Sequence, residues 1–248
     1  MKNWNFRSFD GTGLAIHETG EGRPLVLLHG LFSSAEMNWN KFGHAALLAN
    51  AGFRVIMPDL RAHGHSEAPH DPAAYPRDVL VRDALALIDH LQLDDFDLGG
   101  FSLGARTTAK LLTGWLEPGK AILAGMGLEG LGGWDQRRLH FRNVIAVRDT
   151  VKRGDPEYMA VQFMKTMKID PVAAGHLLES FGDVDVDALS SLNMPVQILC
   201  GEDDCDNGSP DALAEILPFG TLSLVPGTHM SSVTHKALGE AMVSFLTA

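Results

Sequence analysis

The sequence predicts an α/β fold, a mostly parallel eight-stranded sheet with helices on both faces and an all-helical insertion. Three observations predict it. Short apolar runs recur along the 248 residues and alternate with stretches of helical length, as buried parallel strands and their crossover helices do. One such run passes through a serine set between two glycines, Gly100-Phe101-Ser102-Leu103-Gly104, straight into a helical pattern. The alternation stops between about residues 128 and 190, where only helical patterns occur, and then resumes.

The elements follow in order. Asn5–Ser8 and Ala15–Glu18 are expected to form an antiparallel edge hairpin around Gly11-Thr12-Gly13. Leu25–Leu28 reads as a buried strand and Trp39–Ala51 as a helix, followed by the strand Arg54–Met57. In the helix expected over Arg77–Leu91, Leu80, Ala84, Leu87, Ile88 and Leu91 fall on one face at helical spacing. The strand Phe96–Leu98, the helix Leu103–Leu112 and the strand Ala121–Ala124 complete the first part. The insertion is expected to hold helices over Asp135–Lys152, Pro156–Lys168, Pro171–Ser180 and Val186–Leu192. Asp155-Pro156 and Asp170-Pro171 each supply an N-cap followed by a proline whose missing N–H costs nothing in the first turn. Ser209-Pro210 repeats the signal for a helix over Pro210–Leu217, between the strands Val196–Cys200 and Thr221–Val225, and Val233–Leu246 closes the chain as a helix. The expected organisation is a core of residues 1–127 and 191–248, with 128–190 inserted after the sixth strand.

The Gly-x-Ser-x-Gly stretch lies at a strand-to-helix turn. A serine there projects its Oγ out of the sheet, and glycines two residues away on either side relieve the crowding that a tight turn creates. The N–H of Leu103, at the start of the following helix, would face a developing oxyanion.

A nucleophilic serine needs a base and an acid that orients the base. Of the eleven histidines, His229 sits just past the strand Thr221–Val225, in Pro226-Gly227-Thr228-His229. Past the strand Val196–Cys200 comes Gly201-Glu202-Asp203-Asp204, and Asp204 is favoured as the acid over Asp203, Asp206 and Glu129. Pro24–Leu28 runs into His29-Gly30-Leu31-Phe32. Gly30 would let the backbone approach the site, the Leu31 N–H would be the second oxyanion donor with the Phe32 N–H as alternative, and His29 would brace the loop rather than act as base.

These residues together resemble the α/β-hydrolase fold family. His29-Gly30, Asp59-Leu60-Arg61-Ala62-His63-Gly64-His65-Ser66, Gly100–Gly104, Gly201–Asp204 and Pro226–His229 match its motifs, over roughly residues 5–127 and 190–247. Ala62 stands where the family's D-x-x-G-x-G-x-S turn has its first glycine, and Thr228 stands where a glycine is common before the histidine. The resemblance implies the chain order Ser102, Asp204, His229, with the acid three residues after Gly201. It implies an esterase-like serine hydrolase in which residues 128–190 form a cap over the elbow, and Ser102 argues against the branches that use an aspartate nucleophile. Phe32, Met159, Phe163 and Met164 are the candidate substrate-binding residues, with Tyr158 and Met167 as further candidates. The alternative to lining is that these side chains pack the insertion onto the core.

Composition bounds the partners. The formal charge of −11 disfavours nucleic acid and anionic membrane surfaces. No apolar run approaches the roughly 18 residues of a membrane span, and Met1–Asp10 lacks a signal-peptide core, so a cytoplasmic protein is expected. Cys200 and Cys205 are expected to be free thiols, no spacing suggests a metal site, and His63-Gly-His65 is read as part of a structural turn. No dinucleotide or P-loop signature is present, so no cofactor is expected. The expectation is cleavage of a carboxylic ester of a small to medium uncharged substrate through an acyl-enzyme. C–C bond hydrolysis, lactonase or acyltransferase chemistry with the same triad, or slow-turnover ligand reception, are the alternatives. The oligomeric state is not legible.

Overall fold

A computed structural model describes residues 1–114 and 116–248. Its strands are β1 (Lys2–Arg7), β2 (Gly13–Thr19), β3 (Arg23–Leu28), β4 (Phe53–Pro58), β5 (Asp97–Phe101), β6 (Ala121–Ala124), β7 (Val196–Gly201) and β8 (Gly220–Val225). They form one sheet in the order β1-β2-β4-β3-β5-β6-β7-β8, with β1–β2 and β2–β4 antiparallel and every other pair parallel. This is the α/β-hydrolase arrangement the motifs predicted.

The helices are α1 (His44–Asn50), α2 (Val79–His90), α3 (Leu103–Thr113), α4 (Trp134–Ala146), α5 (Tyr158–Thr166), α6 (Pro171–Glu179), α7 (Pro210–Ile216), α8 (His229–Ser232) and α9 (Lys236–Thr247). Alternation along β3 sorts the core into two layers. Val26 and Leu28 pack with Leu80, Ala84 and Leu87 of α2 on one face. Leu25 and Leu27 pack with Ala45 and Leu48 of α1 and Leu238 and Met242 of α9 on the other. All four β3 side chains are fully buried, which is why the strand reads as one unbroken apolar run.

Several expected helices are shorter, for local backbone reasons. Trp39–Ala51 is not one helix: a π-turn at Glu36–Asn40 and α1 are separated at Gly43, whose φ of 82° no right-handed helix accommodates. Asp78 at φ 56° delays α2 to Val79. The closing helix starts at Lys236 instead of Val233, because His235 before it is in extended conformation. Within the insertion, Asp170 caps α6 by accepting from the N–H groups of Val172 and Ala173, as its Asp-Pro signal predicts. Asp155-Pro156 does not start a helix. The Asp155 carboxylate accepts from the Lys152 N–H in the preceding turn, and α5 begins only at Tyr158. Val186–Leu192 is reduced to a 3₁₀ turn, Asp187–Ser191.

The insertion has its own apolar cluster of Val144, Val161, Met164, Ile169 and Ala174, and Phe32 from the loop after β3 belongs to it. It therefore rests on the C-terminal edge of the sheet. No helix among the described residues is long and apolar enough to cross a membrane.

Candidate active site

The turn between β5 and α3 is forced by packing. Strand β5 runs to Phe101, further than the apolar run suggested, because Gly99 and Gly100 pair with Leu27 and Leu28 on one side and Ile122 and Leu123 on the other. A Cβ on Gly100 would collide with the backbone of Gly104, and a Cβ on Gly104 would collide with the Leu28 carbonyl. Between these two contacts Ser102 is held at φ 53° and ψ −110°, a conformation that costs a side-chain-bearing residue about 1–3 kcal/mol. Its N–H is anchored on the Ala124 carbonyl at 2.8 Å.

Three side chains from three strand ends meet there. His229 Nε2 lies 3.0 Å from Ser102 Oγ, and His229 Nδ1 lies 2.8 Å from Asp204 Oδ2. The second Asp204 oxygen accepts from the Asp206 N–H at 3.1 Å. Burial alone would raise the Asp204 carboxyl; the hydrogen bond from His229, the charge it can carry and the Asp206 N–H together hold it below the usual carboxylate range. Thr228, in place of a glycine, caps α8: its Oγ1 accepts from the Ser231 N–H while Ser231 Oγ accepts from the Thr228 N–H. The other acids are turned elsewhere. Glu129 accepts from the Ser209 N–H, Asp206 is exposed, and no hydrogen bond joins Asp203 to His229.

The loop after β3 is rigidly braced. The Gly30 N–H donates to Asn38 Oδ1, the Phe32 N–H to His63 Nε2, and the Ala35 N–H to Asp59 Oδ1. The Phe32 amide is thereby occupied. The Leu31 N–H donates to no group among the described residues, and Leu31 lines the space beside Ser102 together with Leu103. The Leu103 N–H opens α3 and has no preceding helical carbonyl to bind. Gly30 is not required for close approach, since a Cβ there would meet Ser102 Cβ at an ordinary 3.5 Å. His29 is fully buried, donates from Nδ1 to the Gly30 carbonyl and accepts the Leu60 N–H, so it braces the loop. Ala62 takes the glycine position of the neighbouring turn at φ 66°, with strain but without rearrangement.

Two clefts meet at Ser102. The first, of about 100 Å³, is apolar, lined by Met37, Phe42, Phe163, Met230 and Val233 beside Ser102 and His229. The second, of about 20 Å³, lies beneath the insertion and is bounded by Leu31, Ser102, Leu103, Arg106, Arg137 and Asn207. Of the expected substrate-binding residues, only Phe163 reaches a cleft that contains Ser102. Phe32 and Met164 are buried within the insertion's apolar cluster. Met159 is 74% exposed, because Val161 and Met164 define the inner face of α5 and Met159 falls outside it. The two arginines were not singled out from sequence, since Arg106 follows the elbow inside α3 and Arg137 comes from α4.

Among the described residues, two groups could offer metal ligands within 4.8 Å of one another: Asp204, Asp206 and His229, two of which already bond each other at Ser102, and His17, Asp59 and His65. In the latter, His17 Nε2 lies 3.1 Å from Asp59 Oδ2 and His17 Nδ1 lies 3.0 Å from Asn3 Oδ1, so both ring nitrogens have protein partners, and the hydrogen bond with Asp59 holds the ring above the usual imidazole range. No sequence spacing signals it, because strand pairing brings β2 beside the turn after β4. Cys200 is buried and Cys205 exposed, both free, and burial pushes the Cys200 thiol up to about 12.

His63 makes stability depend on pH. Burial depresses its ring to about 3, well below the roughly 6.5 of an exposed imidazole. The unfolded chain takes up a proton that the native ring refuses. Stability from this group is therefore complete above the unfolded value and is lost as the pH falls from there towards 3. Burial acts in the same direction on His29 and His44. Between pH 7 and pH 5 the unfolding free energy in urea should fall by about 2 kcal/mol from His63 alone. The slope should flatten in His63→Gln, whose amide oxygen can still accept from Phe32; an unchanged slope would assign it elsewhere.

A family model described as alpha/beta hydrolase fold matches residues 23–113. Over 99 residues the chain is 34% identical to epoxide hydrolase 2 of Siraitia grosvenorii, covering 40% of this chain and 30% of that protein. Over 91 residues it is 40% identical to 2-hydroxymuconate semialdehyde hydrolase of Pseudomonas sp. (strain CF600), covering 36% and 31%. The matched stretch spans about a third of the length of these relatives. A thermophilic esterase from Thermogutta terrifontis superposes with a TM-score of 0.80 at 22% identity, covering 100% of this chain and 98% of that one.

Proposed function

Because the chain belongs to the α/β-hydrolase fold family, we propose that it is a serine hydrolase that cleaves a carboxylic ester of a small to medium substrate through an acyl-enzyme. The observation that carries this reading is the unbroken line of hydrogen bonds Ser102 Oγ, His229 Nε2, His229 Nδ1, Asp204 Oδ2. Ser102 Oγ attacks the carbonyl carbon as its proton passes to His229 Nε2. Asp204 holds the Nδ1–H, keeping the Nε2 lone pair towards the serine, and offsets the charge of the imidazolium. The N–H groups of Leu31 and Leu103 receive the oxyanion. His229 returns the proton to the departing alkoxide, and an alcohol leaves. Water then gives a proton to His229 and attacks the acyl carbon; collapse releases the acid and restores Ser102.

The relative named an epoxide hydrolase shares the fold-forming stretch. The neutral hydroxyl at the elbow, backed by a histidine, supports acyl transfer here. The residue 128–190 segment acts as a cap in this reading, with Phe163 bringing an aromatic wall over the apolar cleft.

Two measurements test it together. A phosphonate directed at activated serines should add once per chain, at Ser102, as read by peptide mass. p-Nitrophenyl esters of graded chain length, run beside lactones and vinylogous diketones, should show a burst followed by steady turnover. Labelling elsewhere, or a single turnover without steady release, would refute the reading.

A further inference from the structure

The two clefts at Ser102 differ in chemistry. The larger has an apolar wall, whereas the smaller carries two guanidinium groups. Arg106 is 4% exposed and comes from α3, one turn after the nucleophile. Its Nη1 donates to the Gly182 carbonyl at 2.9 Å and its Nη2 to the Leu131 carbonyl at 3.2 Å, while its Nε is buried with no partner among the described residues. The nearest carboxylate, Asp183, is 3.5 Å away on Nη2 and lies largely in solvent. Arg137, from α4, makes one hydrogen bond, to the Asp206 carbonyl at 3.0 Å, and lines the same cleft. Asn207 donates from Nδ2 to the Gly125 carbonyl, leaving Oδ1 buried and unpartnered at the same wall.

Buried donors without acceptors are costly, and a buried cation without a close counter-charge more so. Burial pulls the Arg106 guanidinium down to about 10, against the opposing pull of Asp183 and Asp78. It lowers Arg137 as well, against Asp206 and Asp204. A chain of net charge −11 thus keeps two under-compensated cations beside its nucleophile. The cleft is small, about 20 Å³ against the roughly 10–15 Å³ a single water needs, and suits a compact group.

Resting on the serine-hydrolase reading above, we propose that this cleft is an anion subsite, in which Arg137 donates to a carboxylate carried by one side of the scissile ester and the charge of the enclosed Arg106 guanidinium favours it, while the other side, apolar, lies in the cleft formed by Met37, Phe42 and Phe163. The net charge of −11 points to an uncharged substrate, but the arginines local to the cleft point the other way, because the field at the site is set by neighbouring groups and not by the total. The substrate class is then the half-ester or lactone of a dicarboxylic acid. Arg137 is a specificity-determining residue, and Arg106 also ties the insertion to α3 through Gly182 and Leu131.

The test uses the full chain and mono-p-nitrophenyl esters of succinic, glutaric and adipic acids, each beside its methyl ester, with spontaneous hydrolysis subtracted. At the length that fits, the free acid should exceed its methyl ester in kcat/KM by roughly 10- to 100-fold, the range of a hydrogen-bonded charge pair. Arg137→Gln should lower kcat/KM for the acid at least tenfold more than for the methyl ester, and Arg137→Lys should recover part of the preference. Methyl esters that match or exceed the acids at every length would overturn the anion subsite while leaving the serine hydrolase intact. Absence of turnover for both series, with Ser102 unlabelled by phosphonate, would remove the two together. The wild-type ratio decides the matter even if the variants do not fold.

Discussion

Ser102→Ala should lower kcat on any ester the protein turns over by roughly 10⁶-fold, the loss seen when a triad nucleophile is removed. The fold should survive. The Oγ has one hydrogen-bond partner, His229 Nε2, and the turn itself is set by contacts between Gly100, Gly104 and Leu28 that do not involve the hydroxyl. Alanine also meets the same backbone strain as serine at φ 53°. Equal melting temperatures with activity reduced to the no-enzyme level would therefore isolate the chemistry. Substantial turnover in the alanine variant would transfer the nucleophile to another group.

Asp204→Asn should reduce kcat by about 10⁴-fold near neutral pH, whereas Asp203→Asn should retain most of the activity. An asparagine at 204 keeps the shape and can still accept the Asp206 N–H. The group facing His229 Nδ1 then becomes an amide NH₂, which donates. The ring responds by carrying its hydrogen on Nε2, where Ser102 needs a lone pair. Asp203 makes no bond to His229, and its own N–H is spent on the Gly227 carbonyl. Comparison of the two variants on one p-nitrophenyl ester, at constant fold as judged by circular dichroism, separates adjacent residues of identical chemistry. Equal losses would mean that His229 has no single orienting acid.

The parts of this molecule that could be read from the sequence share a physical trait: their signals are local. A buried parallel strand is a run of apolar residues, and Leu25–Leu28 and Ala121–Ala124 are such runs. Ser102, Asp204 and His229 each follow a strand end, so a parallel sheet brings them to one edge without further information. What escaped reading depends on contacts between distant segments or on single backbone angles. Arg106 and Arg137 meet at a cleft only once the start of α4 is packed beside α3, with Trp134 against the Arg106 guanidinium. Gly43 interrupts an otherwise helical pattern, whereas Asp78 and His235 trim the starts of two others, and apolar spacing marks none of the three positions. Met159 lies outside the inner face of α5, which Val161 and Met164 define, and that facing is set by how the helix packs and not by its residue types.

The sheet order carries a consequence for how activity is acquired. From β5 outward the strands add in chain order, β5, β6, β7 and β8, so the nucleophile belongs to an interior strand, its base follows the rim strand β8, and the acid follows β7. The site thus spans 127 positions of chain and closes only when the final pieces arrive. Parallel pairings of this separation are slow to form, and domains are assembled from the N-terminus during synthesis. Under the proposed mechanism, Ser102 has no base until β8 has paired with β7 and carried His229 to it, so activity should appear on refolding no earlier than that pairing.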